Sequence, residues 1–124
     1  MGRNSDLGII MLSAKDILNC SDETLEKITV PEWGGDVYIR TLTGSERDGW
    51  ELYYQDQLSK TNNVNVRAKL AGLTLCDETG KRLFSDGQLA QLGAKSGKAL
   101  DRVYSAAIAL NKISEDEIKA LEKN

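Results

Sequence analysis

The sequence PEWGGDVYIRTLTGSER, residues 31–47, decides the fold because it contains a turn, an alternating run and a helix start. Residues 37–42 alternate between two faces, with Val37 and Ile39 on one of them, which is the two-residue period of a half-buried strand. Residues 25–30 are the expected partner strand, and the turn residues 33–36 tolerate the positive φ of a tight reversal. The sequence therefore predicts a β-hairpin over residues 24–42 that leads directly into a helix.

Most of the helical patterns lie within residues 43–124. Thr43 or Ser45 can cap the first of these helices, and Glu46 follows Thr43 at the spacing of a capping box. Gly49 lowers the helix propensity by up to about 1 kcal/mol relative to alanine, which indicates a close packing contact there. The other helical patterns cover residues 14–19, 64–76, 85–92, 97–111 and a last segment from residue 115.

Two of these helices have an expected place in the domain. Residues 64–76 are apolar around most of the helix circumference, so we expect a central, enclosed helix. In the helix of residues 14–19, Ser13 is the expected cap, and Ile17 and Leu18 are expected to face the core, after an apolar entry that includes Met11 and Leu12.

The predicted fold class is α+β and mostly α-helical: a compact bundle of about five helices with an N-terminal β-hairpin. We expect a single domain over residues 1–124, with residues 1–8 as a flexible arm and residues 43–124 as the helical part. Because the helices from residue 64 onward carry apolar stripes wide enough for a core of their own, the hairpin is expected to cover or project from that core.

Composition excludes several classes of function. The chain has 124 residues, no histidine and a net charge of −3, and residues 21–36 hold five acids against one base. Such a balance disfavours nucleic-acid binding, and the missing histidine removes Ser-His-Asp and Cys-His catalysis and histidine-containing metal sites. Cys20 and Cys76 are both expected to be small, buried apolar residues in a reducing cytoplasm, without a disulfide framework. The apolar run 7–12 is too short to span a membrane. We expect no catalytic residue, cofactor or metal.

Aromatic residues are the most informative candidates for binding. Trp33 lies in the predicted turn, where it either folds back to close the end of the hairpin or forms a recognition surface. Tyr38 and Arg40, on the adjacent strand, are the other candidates for partner contact. Trp50 and its neighbours Tyr53 and Tyr54 follow helical spacing and are expected in the core.

From Asp16 to the C-terminus the sequence resembles the tail assembly chaperones of long-tailed, siphovirus-like bacteriophages and prophages. The resemblance is carried by five short motifs, none of them catalytic: Trp33-Gly34-Gly35, Glu46-Arg47, Leu75-Cys76-Asp77, Arg82-Leu83-Phe84 and Leu100-Asp101-Arg102.

This resemblance implies a small protein of the host bacterial cytoplasm that is absent from the virion and is not an enzyme. It implies that the chain coats the tape measure protein and keeps it soluble until tail tube subunits replace it. A homo-oligomer is also compatible with the sequence. It also implies a longer product of ribosomal frameshifting that contacts the tail tube protein. Residues 122–124, Glu-Lys-Asn, can be encoded GAA-AAA-AAC, which contains the slippery run A-AAA-AAC.

Two other classes of function are compatible with this size and helix content. One is a structural head-tail or tail completion protein of the virion, and the other is a small phage regulatory protein. The second lacks a clustered basic recognition face, which DNA binding requires.

Overall fold

The structure is a computed structural model that describes residues 10–59 and 65–113. These residues form five α-helices and a three-stranded sheet, which confirms the predicted fold class. The elements are α1 (Ala14–Asn19), β1 (Leu25–Val30), β2 (Gly35–Arg40), α2 (Gly44–Leu58), α3 (Val66–Thr74), β3 (Leu75–Cys76), α4 (Leu89–Gly93) and α5 (Gly97–Asn111). The predicted arm and the predicted helix from residue 115 lie outside the described residues.

The predicted hairpin is present. Strands β1 and β2 pair antiparallel from Leu25 opposite Arg40 to Val30 opposite Gly35. A short 3-10 turn, Pro31–Trp33, joins them, and Gly34 follows it with φ 78°. The Gly34 amide donates to the Pro31 carbonyl at 3.0 Å, so the reversal begins two residues earlier than the turn predicted at residues 33–36.

A third strand was not predicted. Strand β3 pairs antiparallel with β2, placing Leu75 opposite Ile39 and Cys76 opposite Tyr38. The single helix predicted over residues 64–76 is therefore wrong at its end, since α3 stops at Thr74. An unbroken apolar run suits a buried helix and a buried strand equally well, so its periodicity does not reveal the change.

The core consists of two clusters of buried side chains. Helix α3 is the central helix, as predicted, because its residues from Leu70 to Thr74 are all buried. The first cluster lies between the sheet, α3, α4 and α5, and contains Val30, Ile39, Ala68, Ala71, Leu75, Leu92, Ala99, Leu100 and Val103. The second lies between α2, α3 and the end of α5, and contains Trp50, Leu70, Leu73, Ala107 and Ile113.

The hairpin belongs to this core. Val30 and Ile39 have 0% exposed surface and lie in the first core cluster, so the hairpin covers the helices, as one of the two predicted alternatives had it, and does not project from them. The reason is the third strand: it makes β2 the central strand, and the sheet then packs one face against α5. None of the described helices is long and apolar enough to cross a membrane.

Local capping fixes where α2 begins. Thr43 Oγ1 accepts from the Glu46 amide at 3.1 Å, and Glu46 Oε1 accepts from the Thr43 amide at 2.9 Å, which confirms the predicted capping box. At the far end of α5, Asn111 Oδ1 accepts from the Leu42 amide at 2.7 Å. The residues between β2 and α2 are thus fixed by hydrogen bonds to Glu46 of α2 and to Asn111 of α5.

Candidate partner-binding surface

An open cleft lies beside the turn that carries Trp33. Its volume is about 570 Å³, and its apolar lining comes from Trp33, Phe84 and Leu92. Charged or polar side chains complete it, namely Glu32, Gln91 and Lys95. An apolar floor with a few polar groups around it is typical of a site that receives an apolar side chain. We call this feature the Trp33 cleft.

The turn that positions Trp33 is fixed to α5. Arg102 Nε donates to Glu32 Oε1 at 2.7 Å. This hydrogen bond from Arg102 is the main reason that the pKa of Glu32 lies below its ordinary value, and the same contact raises the pKa of Arg102. Pro31 at the first position of the 3-10 turn further restricts the backbone. The indole therefore stands on a rigid support.

The Trp33 side chain belongs partly to the core and partly to the cleft. It is half-buried, and it packs against the first core cluster. Its Nε1 is enclosed, with no hydrogen-bond acceptor among the described residues. The part of the ring that reaches the cleft is therefore hydrocarbon. The indole closes the end of the hairpin and also borders an accessible cleft, so its role in recognition stays a prediction.

Tyr38 and Arg40 lie elsewhere. They alternate with Val37 and Ile39 along β2, so they are on the sheet face opposite the core cluster, and neither lines the Trp33 cleft. Tyr38 is half-buried. The three predicted contact residues therefore do not form one surface, and partner contact by Tyr38 or Arg40 also stays a prediction.

Arg40 is engaged within the fold. It is 5% exposed, and its two terminal nitrogens donate to both carboxylate oxygens of Glu46 at 3.0 and 2.7 Å. A second carboxylate, Glu23, lies 3.5 Å away. Burial alone would lower the pKa of Arg40, but the Glu46 hydrogen bond and charge outweigh it and raise that pKa. The guanidinium joins β2 to α2.

The cysteines offer no reactive centre in the core. Both are free thiols; Cys76 is buried as predicted, but Cys20 is exposed, so the prediction that it is buried is wrong. Burial raises the pKa of the Cys76 thiol, although Arg40 acts against it. Among the described residues, no group of three or more cysteine, aspartate or glutamate side chains is arranged to hold a metal ion. Asp77 instead binds its own turn, accepting from the Thr79 and Lys81 amides at 2.8 and 3.0 Å.

Sequence reasoning missed two features of the accessible surface, one at the Trp33 cleft and one on α1. Phe84 precedes α4, whereas Leu92 and Lys95 lie in α4 and directly after it, and no local signal shows that these residues meet Trp33. The prediction that Ile17 and Leu18 face the core is wrong, since they are 58% and 83% exposed. Their spacing shows an apolar helix face, but it does not show whether the fold covers that face.

The geometry defines a small α+β protein whose accessible features are an apolar cleft and an apolar helix, and such features suit protein binding. Residues 20–122 match the family model of phage tail assembly chaperones, so the chain belongs to that family and the resemblance seen in its sequence is confirmed. Its fold is similar to that of the bacteriophage HK97 tail assembly chaperone, with a TM-score of 0.57 and 24% identity over 71% of this chain and 85% of that chain. No curated protein matches the sequence.

Proposed function

We propose that this tail assembly chaperone binds the tape measure protein in the host bacterial cytoplasm and keeps it soluble during tail assembly, without catalysing a reaction. The observation that carries the proposal is the Trp33 cleft, with its apolar lining from Trp33, Phe84 and Leu92. Membership of the chaperone family supports the general role. The choice of client is our inference.

The cleft suits a reversible contact. Burial of one leucine-sized side chain contributes about 1.5–3 kcal/mol, which is less than the free energy of a millimolar complex. Many copies on a long client are then needed to shield it, and each copy can be released singly. Replacement by tail tube subunits requires such weak individual contacts.

The proposal includes a second product. A longer form made by ribosomal frameshifting is proposed to contact the tail tube protein. The nucleotide sequence tests this directly, because a codon GAG at Glu122 or AAG at Lys123 removes the slippery run. Removal of that run overturns the frameshift hypothesis at this site and leaves client binding untouched.

Co-expression with the tape measure protein tests client binding. Wild type is expected to keep the client soluble and to co-purify with it, and Trp33→Ala is expected to reduce both. Leu52→Ala is the matched control, because Leu52 is 67% exposed on α2, away from the cleft. An insoluble client in the presence of wild type contradicts the proposal, as does the presence of the chain in purified virions, which favours a structural protein.

Thermal stability separates binding from folding. Leu70 is fully buried, and Leu70→Ala is expected to cost about 2–5 kcal/mol. Trp33→Ala is expected to cost clearly less, because part of the indole already faces the cleft. Equal losses for the two variants would make Trp33 a core residue, and the co-expression result for Trp33→Ala would then report folding only.

A further inference from the structure

Five of the eight exposed large apolar residues in the described part of the chain lie close together in the sequence near its N-terminus. Five large side chains within residues 10–18 are accessible: Ile10 (42%), Met11 (84%), Leu12 (55%), Ile17 (58%) and Leu18 (83%). An apolar patch of this kind on a soluble protein marks an interaction site. We call residues 10–18 the N-terminal apolar segment.

Helix α1 within this segment has a well-formed start and no support from the core. The Ser13 amide donates to Asp16 Oδ2 at 3.0 Å, and the Asp16 amide donates to Ser13 Oγ at 3.1 Å, forming a capping box. None of its six residues is buried. Isolated helices shorter than about 12–15 residues are marginal in water, so α1 requires a packing partner to be stable.

Charge around the segment selects the kind of partner. Residues 10–27 contain four acids and two bases, a net charge of −2. Glu23 is near Arg40, whereas Asp22 and Glu26 are exposed. A partner with lysine or arginine beside its apolar face therefore complements this region, and one with acidic flanks is repelled.

We propose that the N-terminal apolar segment binds an amphipathic helix of the client, one with leucine-sized side chains on its apolar face and basic residues beside them. The inference rests on the proposed function, because it names a second contact on the same client. A basic, apolar helix is the partner that both the accessible side chains and the local charge recognise.

One client helix is proposed to make both contacts. Helix α1 precedes β1 and the Trp33 turn follows it, so residues 20–30 separate them along the chain, and six of these residues form β1. A strand of this length spans about 20 Å, which corresponds to about 13 residues of α-helix. Two weak contacts on one client helix reinforce each other without a new interface.

Two labelled peptides test the proposal on the full chain. Both carry the same leucine face; one has lysine flanks and the other glutamate flanks. Wild type is expected to bind the lysine peptide about tenfold more tightly in fluorescence anisotropy at low salt. The double variant Ile17→Ser/Leu18→Ser is expected to lose about tenfold or more in affinity, while Leu52→Ser, an equally accessible leucine on α2, retains wild-type binding.

Charge reversal provides an independent arm. Asp22→Lys/Glu26→Lys is expected to abolish the preference for the lysine peptide, and Asp48→Lys, which changes an exposed acid on α2, is expected to preserve it. Loss of preference in both variants would indicate a general effect of net charge and would contradict the assigned partner.

The outcomes are distinguishable. If Ile17→Ser/Leu18→Ser binds the lysine peptide as tightly as Leu52→Ser does, the inference is wrong. Sedimentation of the same variants then shows whether the segment is instead covered by a second copy of the chain. The proposed function has its own test. It is wrong if wild type does not keep the tape measure protein soluble, whatever the result of the peptide experiment.

Discussion

Arg40 and Glu46 form a two-pronged ion pair, Nη1 to Oε1 at 3.0 Å and Nη2 to Oε2 at 2.7 Å, that ties the end of β2 to the first turn of α2. The same Glu46 carboxylate closes the capping box by accepting from the Thr43 amide. One side chain therefore fixes the start of α2 and neutralises a buried guanidinium. Its two roles can be separated by substitution.

Glu46→Gln is expected to lower the free energy of unfolding by about 2–3 kcal/mol, because it keeps a capping acceptor and removes the countercharge of Arg40. The cost is below that of a fully buried pair, since the Glu46 side chain is 24% exposed and Glu23 lies nearby. Glu46→Ala is expected to lose about 1 kcal/mol more with the cap. Urea denaturation measures both. A loss under about 0.5 kcal/mol for Glu46→Gln would mean that the pair behaves as an exposed one.

Acid is expected to destabilise the fold through the same carboxylate. Burial would raise the pKa of Glu46, but hydrogen bonds from Arg40 and Thr43 outweigh it and hold that pKa below 4.5. A lowered folded pKa contributes stability that is present above the unfolded value and is lost as pH falls through the folded one. The free energy of unfolding of wild type is therefore expected to decline below about pH 4.5, and Glu46→Gln is expected to decline less steeply.

The carboxylate of Glu32 is expected to change the stability in acid in the same direction as Glu46 does, because Arg102 lowers the pKa of Glu32 as well. Some acid dependence is thus expected to remain in Glu46→Gln. A pH profile of Glu46→Gln that is as steep as that of wild type would assign the acid sensitivity to other carboxylates.

Elements defined by local chemistry were predictable from the sequence. The bounds of α1, β1 and α5 follow from caps and periodicity, and the start of α2 follows from the spacing of Thr43 and Glu46. Each of these signals involves residues at most four apart. Such residues meet in any fold that contains the element.

Contacts between elements that lie far apart in the sequence were not predictable. Strand β3 pairs with β2 across more than thirty residues of chain, and nothing in an apolar run states whether a helix or a sheet will bury it. The Trp33 cleft was predictable only at Trp33, where turn residues and an aromatic side chain coincide. Phe84 and Lys95 join it through the packing of other elements. The prediction that the apolar face of α1 is buried failed for the same reason. The sequence shows that the helix has an apolar face, but it does not show which element, if any, packs against that face.

Thiol labelling is expected to distinguish the two cysteines. Cys20 is exposed, whereas Cys76 is 2% exposed and burial raises its pKa. Since the thiolate is the reactive form, Cys20 should react with a disulfide reagent at neutral pH while Cys76 remains protected until the protein unfolds. The measurement is the number of thiols titrated before and after addition of denaturant. Cys20→Ser, as control, should leave no fast-reacting thiol in the native protein.

Two glycines are expected to respond to alanine in opposite directions. A Cβ atom added at Gly49 or Gly34 would meet nothing within 4 Å, so the prediction that Gly49 marks a close contact is wrong. Gly49 lies inside α2, where alanine is expected to stabilise by about 0.5–1 kcal/mol through helix propensity.

Gly34 differs from Gly49 in its backbone. Its φ is +78°, which is strained for an L-residue, so Gly34→Ala is expected to destabilise by about 1–2 kcal/mol although there is space for the methyl group. Thermal unfolding should show midpoint shifts of a few degrees upward for Gly49→Ala and downward for Gly34→Ala. Shifts in the same direction would show that backbone conformation is not what separates these two positions.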